Sequence, residues 1–144
     1  MWGATACQAI FSVSKTCVRF FLRIMDADMK KAEKMAPRIA VLGCGYWGSN
    51  HIRTLKSLGA LFAVSDQNTD RAAGFAAEQN VLHIEVDDLF THPEVDAIVM
   101  ALPPQFHAAA AIRAVTNGKD VLVEKPIALT VPDAEAAVKA ARDP

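Results

Sequence analysis

Three glycines, one acid and a lysine–proline pair carry the chemistry that this chain can do. Gly43-Cys44-Gly45-Tyr46-Trp47-Gly48 has the Gly-x-Gly-x-x-Gly spacing, and Asp66 follows 18 residues after Gly48. Glycine at the first position allows a tight turn. At the second it lets backbone approach a diphosphate with no Cβ in the way, and at the third it lets a helix pack closely on a strand. The free N–H groups and positive dipole end of a helix opening at Tyr46 would face phosphate oxygens. A carboxylate at Asp66 can accept both hydroxyls of an adenosine ribose. Alone, the glycine spacing serves equally as a plain tight turn and Asp66 as a helix cap, although Thr69 and Asp70 stand better placed to start the next helix. Together they point to a dinucleotide. The Asp66 carboxylate would repel a 2′-phosphate, and the first cation after it is Arg71, five residues on, so NAD is favoured over NADP.

These groups need a scaffold, and the chain supplies alternating patterns. Ile39, Ala40, Val41 and Leu42 form an apolar run of the kind buried on both faces of a sheet. Trp47, Ile52, Leu55 and Leu58 then share one side of a helix that Gly59 stops. A second apolar run, residues 60–65, ends in Asp66, and residues 69–80 place Ala72, Phe75, Ala76 and Gln79 on one helical face. A short strand near residues 81–84 precedes a brief helical turn from Asp87-Asp88 through Leu89 and Phe90. Residues 96–102 form the next strand, which Pro103 and Pro104 forbid from continuing. A helix over 105–117 shows Ala108, Ala111, Ile112 and Val115, and Gly118 ends it. Val121, Leu122 and Val123 form a further strand closed by Glu124-Lys125-Pro126. Thr130 and Asp133 have capping-box spacing before Ala134, Ala137, Val138 and Ala141.

Strands alternating with helices of this length predict an α/β fold, a Rossmann-type doubly wound parallel sheet. The glycine loop, Asp66, the Pro103-Pro104 loop and Glu124-Lys125-Pro126 all follow strand carboxyl ends, the ligand edge of such a sheet.

With 144 residues, 52% hydrophobic and 22% charged, the composition is that of one globular domain. Residues 1–36 carry six Lys/Arg against three Asp/Glu, and residues 37–144 carry nine against thirteen. The second part is mildly acidic and offers no basic stripe for nucleic acid. Cys7, Cys17 and Cys44 have unrelated spacings, which make neither a disulfide framework nor a metal site. A reducing, cytoplasmic location is the simplest expectation. In residues 1–36, Lys15, Arg19 and Arg23 interrupt the apolar residues, so no run approaches the roughly 20 of a membrane span. That segment is expected to be a poorly ordered extension, with Met25, Met29 or Met35 as alternative starts, or an organelle presequence. The dinucleotide-binding domain is placed at residues 37–144.

At this point the residues resemble a known family. Gly43-Cys44-Gly45-Tyr46-Trp47-Gly48, Asp66, Ala101-Leu102-Pro103-Pro104-Gln105-Phe106-His107 and Glu124-Lys125-Pro126 are similar to the N-terminal half of the glucose–fructose oxidoreductase/inositol dehydrogenase (Gfo/Idh/MocA) family. Tyr46-Trp47 with Asn50, Arg53 and Leu58-Gly59-Ala60-Leu61 further resembles a branch acting on nucleotide-sugar uronates. The resemblance implies an NAD(P)-dependent dehydrogenase that moves hydride to or from a hydroxyl carbon of a sugar, cyclitol or nucleotide sugar. It implies that Gly43, Gly45, Tyr46, Trp47 and Gly48 hold the pyrophosphate, with Asp66 on the adenosine ribose. Ala101, Leu102, Pro103 and His107 would border the dinucleotide. Glu124 and Lys125 would sit by the nicotinamide ribose, the peptide before Pro126 is often cis, and Lys125 would be the catalytic residue reaching the substrate hydroxyl. Hydride leaves a carbinol carbon only if the hydroxyl proton is taken or strongly polarised, which a lysine in a cleft can do.

Two departures from the family stand out. Leu102 and Pro104 occupy positions where Thr and Asn are common. The chain also ends at Pro144, where the family continues into a sixth strand and a substrate domain that supplies a further acid/base and most substrate contacts. The expectation is therefore a Rossmann domain truncated before its substrate domain, with a homo-oligomer open only where that domain is present. A dinucleotide-binding module without turnover, acting as a sensor or assembly partner, is the alternative.

Overall fold

A computed structural model describes residues 37–142, and the expectations for residues 1–36 lie outside the described residues. Five strands, β1 (Ile39–Leu42), β2 (Leu61–Ser65), β3 (Leu82–His83), β4 (Ala97–Met100) and β5 (Asp120–Val123), form one sheet. Their order is β3-β2-β1-β4-β5 and every pairing is parallel. The helices are α1 (Tyr46–Ser57), α2 (Thr69–Gln79), α3 (Val86–Leu89), α4 (His107–Thr116) and α5 (Val131–Arg142). This is the expected Rossmann-type doubly wound sheet. The direction of winding reverses between β1 and β4, which places a crevice above the carboxyl end of β1.

Alternation along the strands builds two cores. Ala40, Leu42, Ala63, Ile98 and Met100 face one side and pack with Leu89, Phe90, Ala111, Ala114 and Ala137. Val41, Val64 and Val99 face the other and pack with Ile52, Ala72 and Ala76. Each central strand is buried on both faces, which is why its sequence is continuously apolar.

Several boundaries differ from the sequence reading. Strand β4 stops at Met100 because Pro103 opens a loop and Pro104–Phe106 forms a 3-10 turn ahead of α4. Helix α2 is capped by Asn68, whose side chain accepts the Arg71 N–H at 2.9 Å. Thr69 and Asp70 lie inside its first turn. The Thr130–Asp133 cap forms as expected, with Asp133 N–H donating to Thr130 Oγ1 at 3.3 Å and the Thr130 hydroxyl donating back to the carboxylate at 2.6 Å.

Candidate active site

Leu42 ends β1 and Gly43 turns the chain with φ +97°, its N–H donating to Ser65 O at 2.8 Å. The three loop glycines divide by what a side chain would meet. A Cβ on Gly43 would lie 2.5 Å from Ala101 O, and one on Gly48 would lie 1.7 Å from Gly43 O. A Cβ on Gly45 would meet nothing within 4 Å. Gly43 and Gly48 are therefore packing glycines, and Gly45 faces open space. Helix α1 begins beside that space with no side-chain cap on Gly45 and no acid in its first turn. Its leading N–H groups and positive dipole end are left for an external anion.

Asp66 stands at the tip of β2. One carboxylate oxygen accepts the Cys44 N–H at 2.6 Å and the other the Asn68 N–H at 2.8 Å. Each oxygen has two lone pairs, so one on each remains for a hydroxyl donor. Arg71 Nη1 lies 3.7 Å from the same carboxylate. Buried Cys44 is affected in turn: burial, then the Asp66 charge, pushes its thiol up to about 11, against the opposing Arg71 charge and the Ser65 carbonyl. At pH 8 its thiolate fraction is about a hundredfold below that of an ordinary thiol. Iodoacetamide should accordingly alkylate Cys44 about a hundredfold more slowly in the folded chain than in the chain unfolded in urea, followed by peptide mass spectrometry. Equal rates would refute the burial.

A cleft of about 590 Å³ runs over these groups. Gly43, Gly45, Tyr46, Trp47, Asp66, Ala101, Leu102 and Pro103 line it, all of them candidates from the sequence. Its walls also include residues that the sequence reading missed: Arg71, Val86, Phe90, Phe106 and Arg113. Arg113 lies 4.4 Å above the Phe90 ring and donates to the Asp87 carboxylate at 3.0 Å and its carbonyl at 3.1 Å. Those pairings join α3 to α4, and no motif marks them.

Four expected site residues sit elsewhere. Gly48 lies behind the loop, against Gly43. His107 does not border the cleft: it is 1% exposed, with Nδ1 2.7 Å from Pro126 O and Nε2 2.8 Å from Leu102 O. It stitches two loops of the site together from beneath. Glu124 holds its loop to the sheet through its N–H on Met100 O at 3.1 Å. Its side chain meets His51 of α1, Nε2 to Oε1 2.6 Å, a partner that the sequence reading did not name. That hydrogen bond, against the effect of desolvation and aided by the Lys125 N–H, holds the Glu124 carboxyl below its ordinary range. The Lys125–Pro126 peptide is cis, and Lys125 Nζ lies 5.9 Å from the ring centroid of Trp47, a cleft-lining residue. Lys125 thus stands beside the cleft wall and does not line it.

Among the described residues no group of three His, Cys, Asp or Glu could hold a metal ion, and no helix is long and apolar enough to cross a membrane. The cleft joins an uncapped helix end, a carboxylate with spare acceptor capacity and the apolar side chains of Val86, Phe90 and Phe106, which suits a diphosphate, a ribose and a flat base.

Residues 37–144 match the Gfo/Idh/MocA family model, described as an oxidoreductase family with an NAD-binding Rossmann fold. Inositol 2-dehydrogenase 2 of Saccharopolyspora erythraea is 44% identical over 101 residues, covering 67% of this chain and 30% of that protein. The solved UDP-N-acetylglucosamine 3-dehydrogenase of Acidithiobacillus ferrooxidans superposes with a TM-score of 0.70 at 34% identity, over 75% of this chain and 36% of that one. KijD10, a 3-ketoreductase from Actinomadura kijaniata in complex with NADP and TDP-benzene, gives 0.71 at 29% identity, over 75% and 34%. The chain spans about a third of the length of these relatives.

Proposed function

Since the chain belongs to the Gfo/Idh/MocA oxidoreductases, with their NAD-binding Rossmann fold, through residues 37–144, we propose that it holds NAD for hydride transfer to or from a hydroxyl carbon of a sugar, cyclitol or nucleotide sugar. One observation carries this reading: the open space over Gly45 lies at the uncapped start of α1, with Asp66 on the same cleft wall. The α1 N–H groups and the Gly45 backbone would receive the diphosphate, and Asp66 the adenosine ribose. Val86, Phe90 and Arg113 line the same cleft, a partly apolar set suited to the adenine. When bound, the nicotinamide supplies the redox step, and the protein supplies placement and electrostatics. Lys125 is the group assigned to hydrogen-bond the substrate oxygen and stabilise charge on it. The substrate class rests on the relatives, which include an inositol dehydrogenase, a nucleotide-sugar dehydrogenase and a 3-ketoreductase.

Melting of the 144-residue chain with and without NADH tests the first step. At about a hundred times Kd, binding to the folded state alone adds about 2.7 kcal/mol, a rise of roughly 10 °C for a domain of this size. A melting temperature unmoved by saturating NAD and NADH would overturn the reading.

A further inference from the structure

We propose that His51 is a positioning residue, which with Trp47 forms a two-point brace on α1 that occupies Glu124 and so directs the Lys125 ammonium. Its significance for catalysis rests on the role given to Lys125 above. The brace itself stands on geometry alone.

Trp47 and His51 are four residues apart on α1 and so share one side of the helix. Both engage consecutive residues of the loop after β5: His51 the Glu124 carboxylate at 2.6 Å, and Trp47 the Lys125 ammonium at 5.9 Å. A flexible lysine adjacent to a glutamate would ordinarily fold back onto its carboxylate. Here the imidazole holds one Glu124 oxygen and the backbone N–H of Lys125 the other at 3.3 Å; each oxygen keeps a spare lone pair, but the two bonds fix the carboxylate in place. Among the described residues no ion pair forms at Lys125 Nζ, which lies 5.9 Å from the Trp47 ring centroid while its charge still acts on Glu124. The face of an indole attracts an ammonium within about 6 Å of its centroid without fixing it as an ion pair would. Lys125 is therefore left with donors to spare beside a residue of the cleft wall. Because α1 also presents the open N-terminus of the glycine loop, one helix sets both the anion-binding end of the site and the lysine.

The alternative is that His51 only staples the loop to α1 and leaves Lys125 where it would be anyway. NMR on the full 144-residue chain separates the two. In wild type, a cross-peak is expected between the Lys125 ε-methylene and the Trp47 indole, and the Glu124 carboxyl should titrate below the ordinary glutamate range. In His51→Leu the freed carboxylate captures the ammonium, so the cross-peak is lost. His51→Gln can still donate an N–H to Glu124 and should restore it. Glu124→Gln provides an independent arm: with no carboxylate to capture the ammonium, the Lys125–Trp47 cross-peak should persist. Persistence of the cross-peak in His51→Leu, or its loss in Glu124→Gln, would overturn the brace. If His51→Leu does not fold, His51→Ala takes its place, since alanine too cannot donate to Glu124. NADH binding by the wild-type chain is measured separately. Its failure would sink the cofactor assignment and leave the brace data standing.

Discussion

Gly48→Ala is expected to destabilise the domain by about 3 kcal/mol or more, through overpacking that no side-chain motion can relieve. The added methyl would lie 1.7 Å from Gly43 O and 2.8 Å from Gly43 C, both backbone atoms. Gly43 cannot retreat, because its N–H is bonded to Ser65 O at 2.8 Å and its own Cα side abuts the Ala101 carbonyl. The loop would have to pull away from β2 or β4. Gly45→Ala provides the contrast. Its φ of −75° and ψ of −161° are open to alanine, and a methyl there meets nothing within 4 Å, so stability should hold within about 0.5 kcal/mol. That methyl instead enters the space assigned to the diphosphate, and NADH affinity should fall at least about tenfold, or 1.4 kcal/mol. Thermal melts followed by circular dichroism, with NADH titrations on the same samples, read both effects. Unaltered NADH affinity in Gly45→Ala would place the diphosphate elsewhere.

The contrast also shows what the sequence could convey. Strand, glycine turn and helix were legible because β1, residues 43–48 and α1 are contiguous, and each glycine acts on near neighbours. The two-sided sheet was legible because Ala40 and Leu42 face one core while Val41 faces the other, leaving every position apolar. Ala101 and Leu102, named among the cleft candidates, were also counted into the strand, because they are apolar like the residues before them; the strand ends at Met100, and both line the cleft beyond it. His107 was placed beside the cofactor by its motif, and packing draws it under the loops instead, where the Pro126 and Leu102 carbonyls take both ring nitrogens. The His51–Glu124 contact spans 73 residues and the Arg113–Asp87 contact 26. Neither leaves a periodic trace, because a single polar contact across elements depends on how two helices and a loop settle on the sheet, not on the local pattern of either partner.

Asp66→Ser is expected to move the ratio of NADPH to NADH affinity by about a hundredfold or more toward NADPH. At roughly 4 Å a carboxylate and a phosphate repel by about 4 kcal/mol per pair of unit charges at an effective dielectric of 20, and solvent relieves only part of that. Serine removes this repulsion and also removes the acceptors for the ribose hydroxyls, so NADH weakens as NADPH strengthens. Arg71, 3.7 Å from the carboxylate in the wild-type chain, is then released to meet a 2′-phosphate. The double variant Asp66→Ser/Arg71→Ala should lose at least about tenfold of the NADPH gain, the worth of one charge-assisted hydrogen bond. Asp66 also accepts the Cys44 and Asn68 N–H groups, so serine will loosen the loop and weaken both cofactors together. The ratio of the two affinities, measured by fluorescence titration on one preparation, is insensitive to that common loss. A ratio unchanged from wild type would mean that the adenosine ribose does not lie against Asp66, and the assignment of this end of the cleft would fall with it.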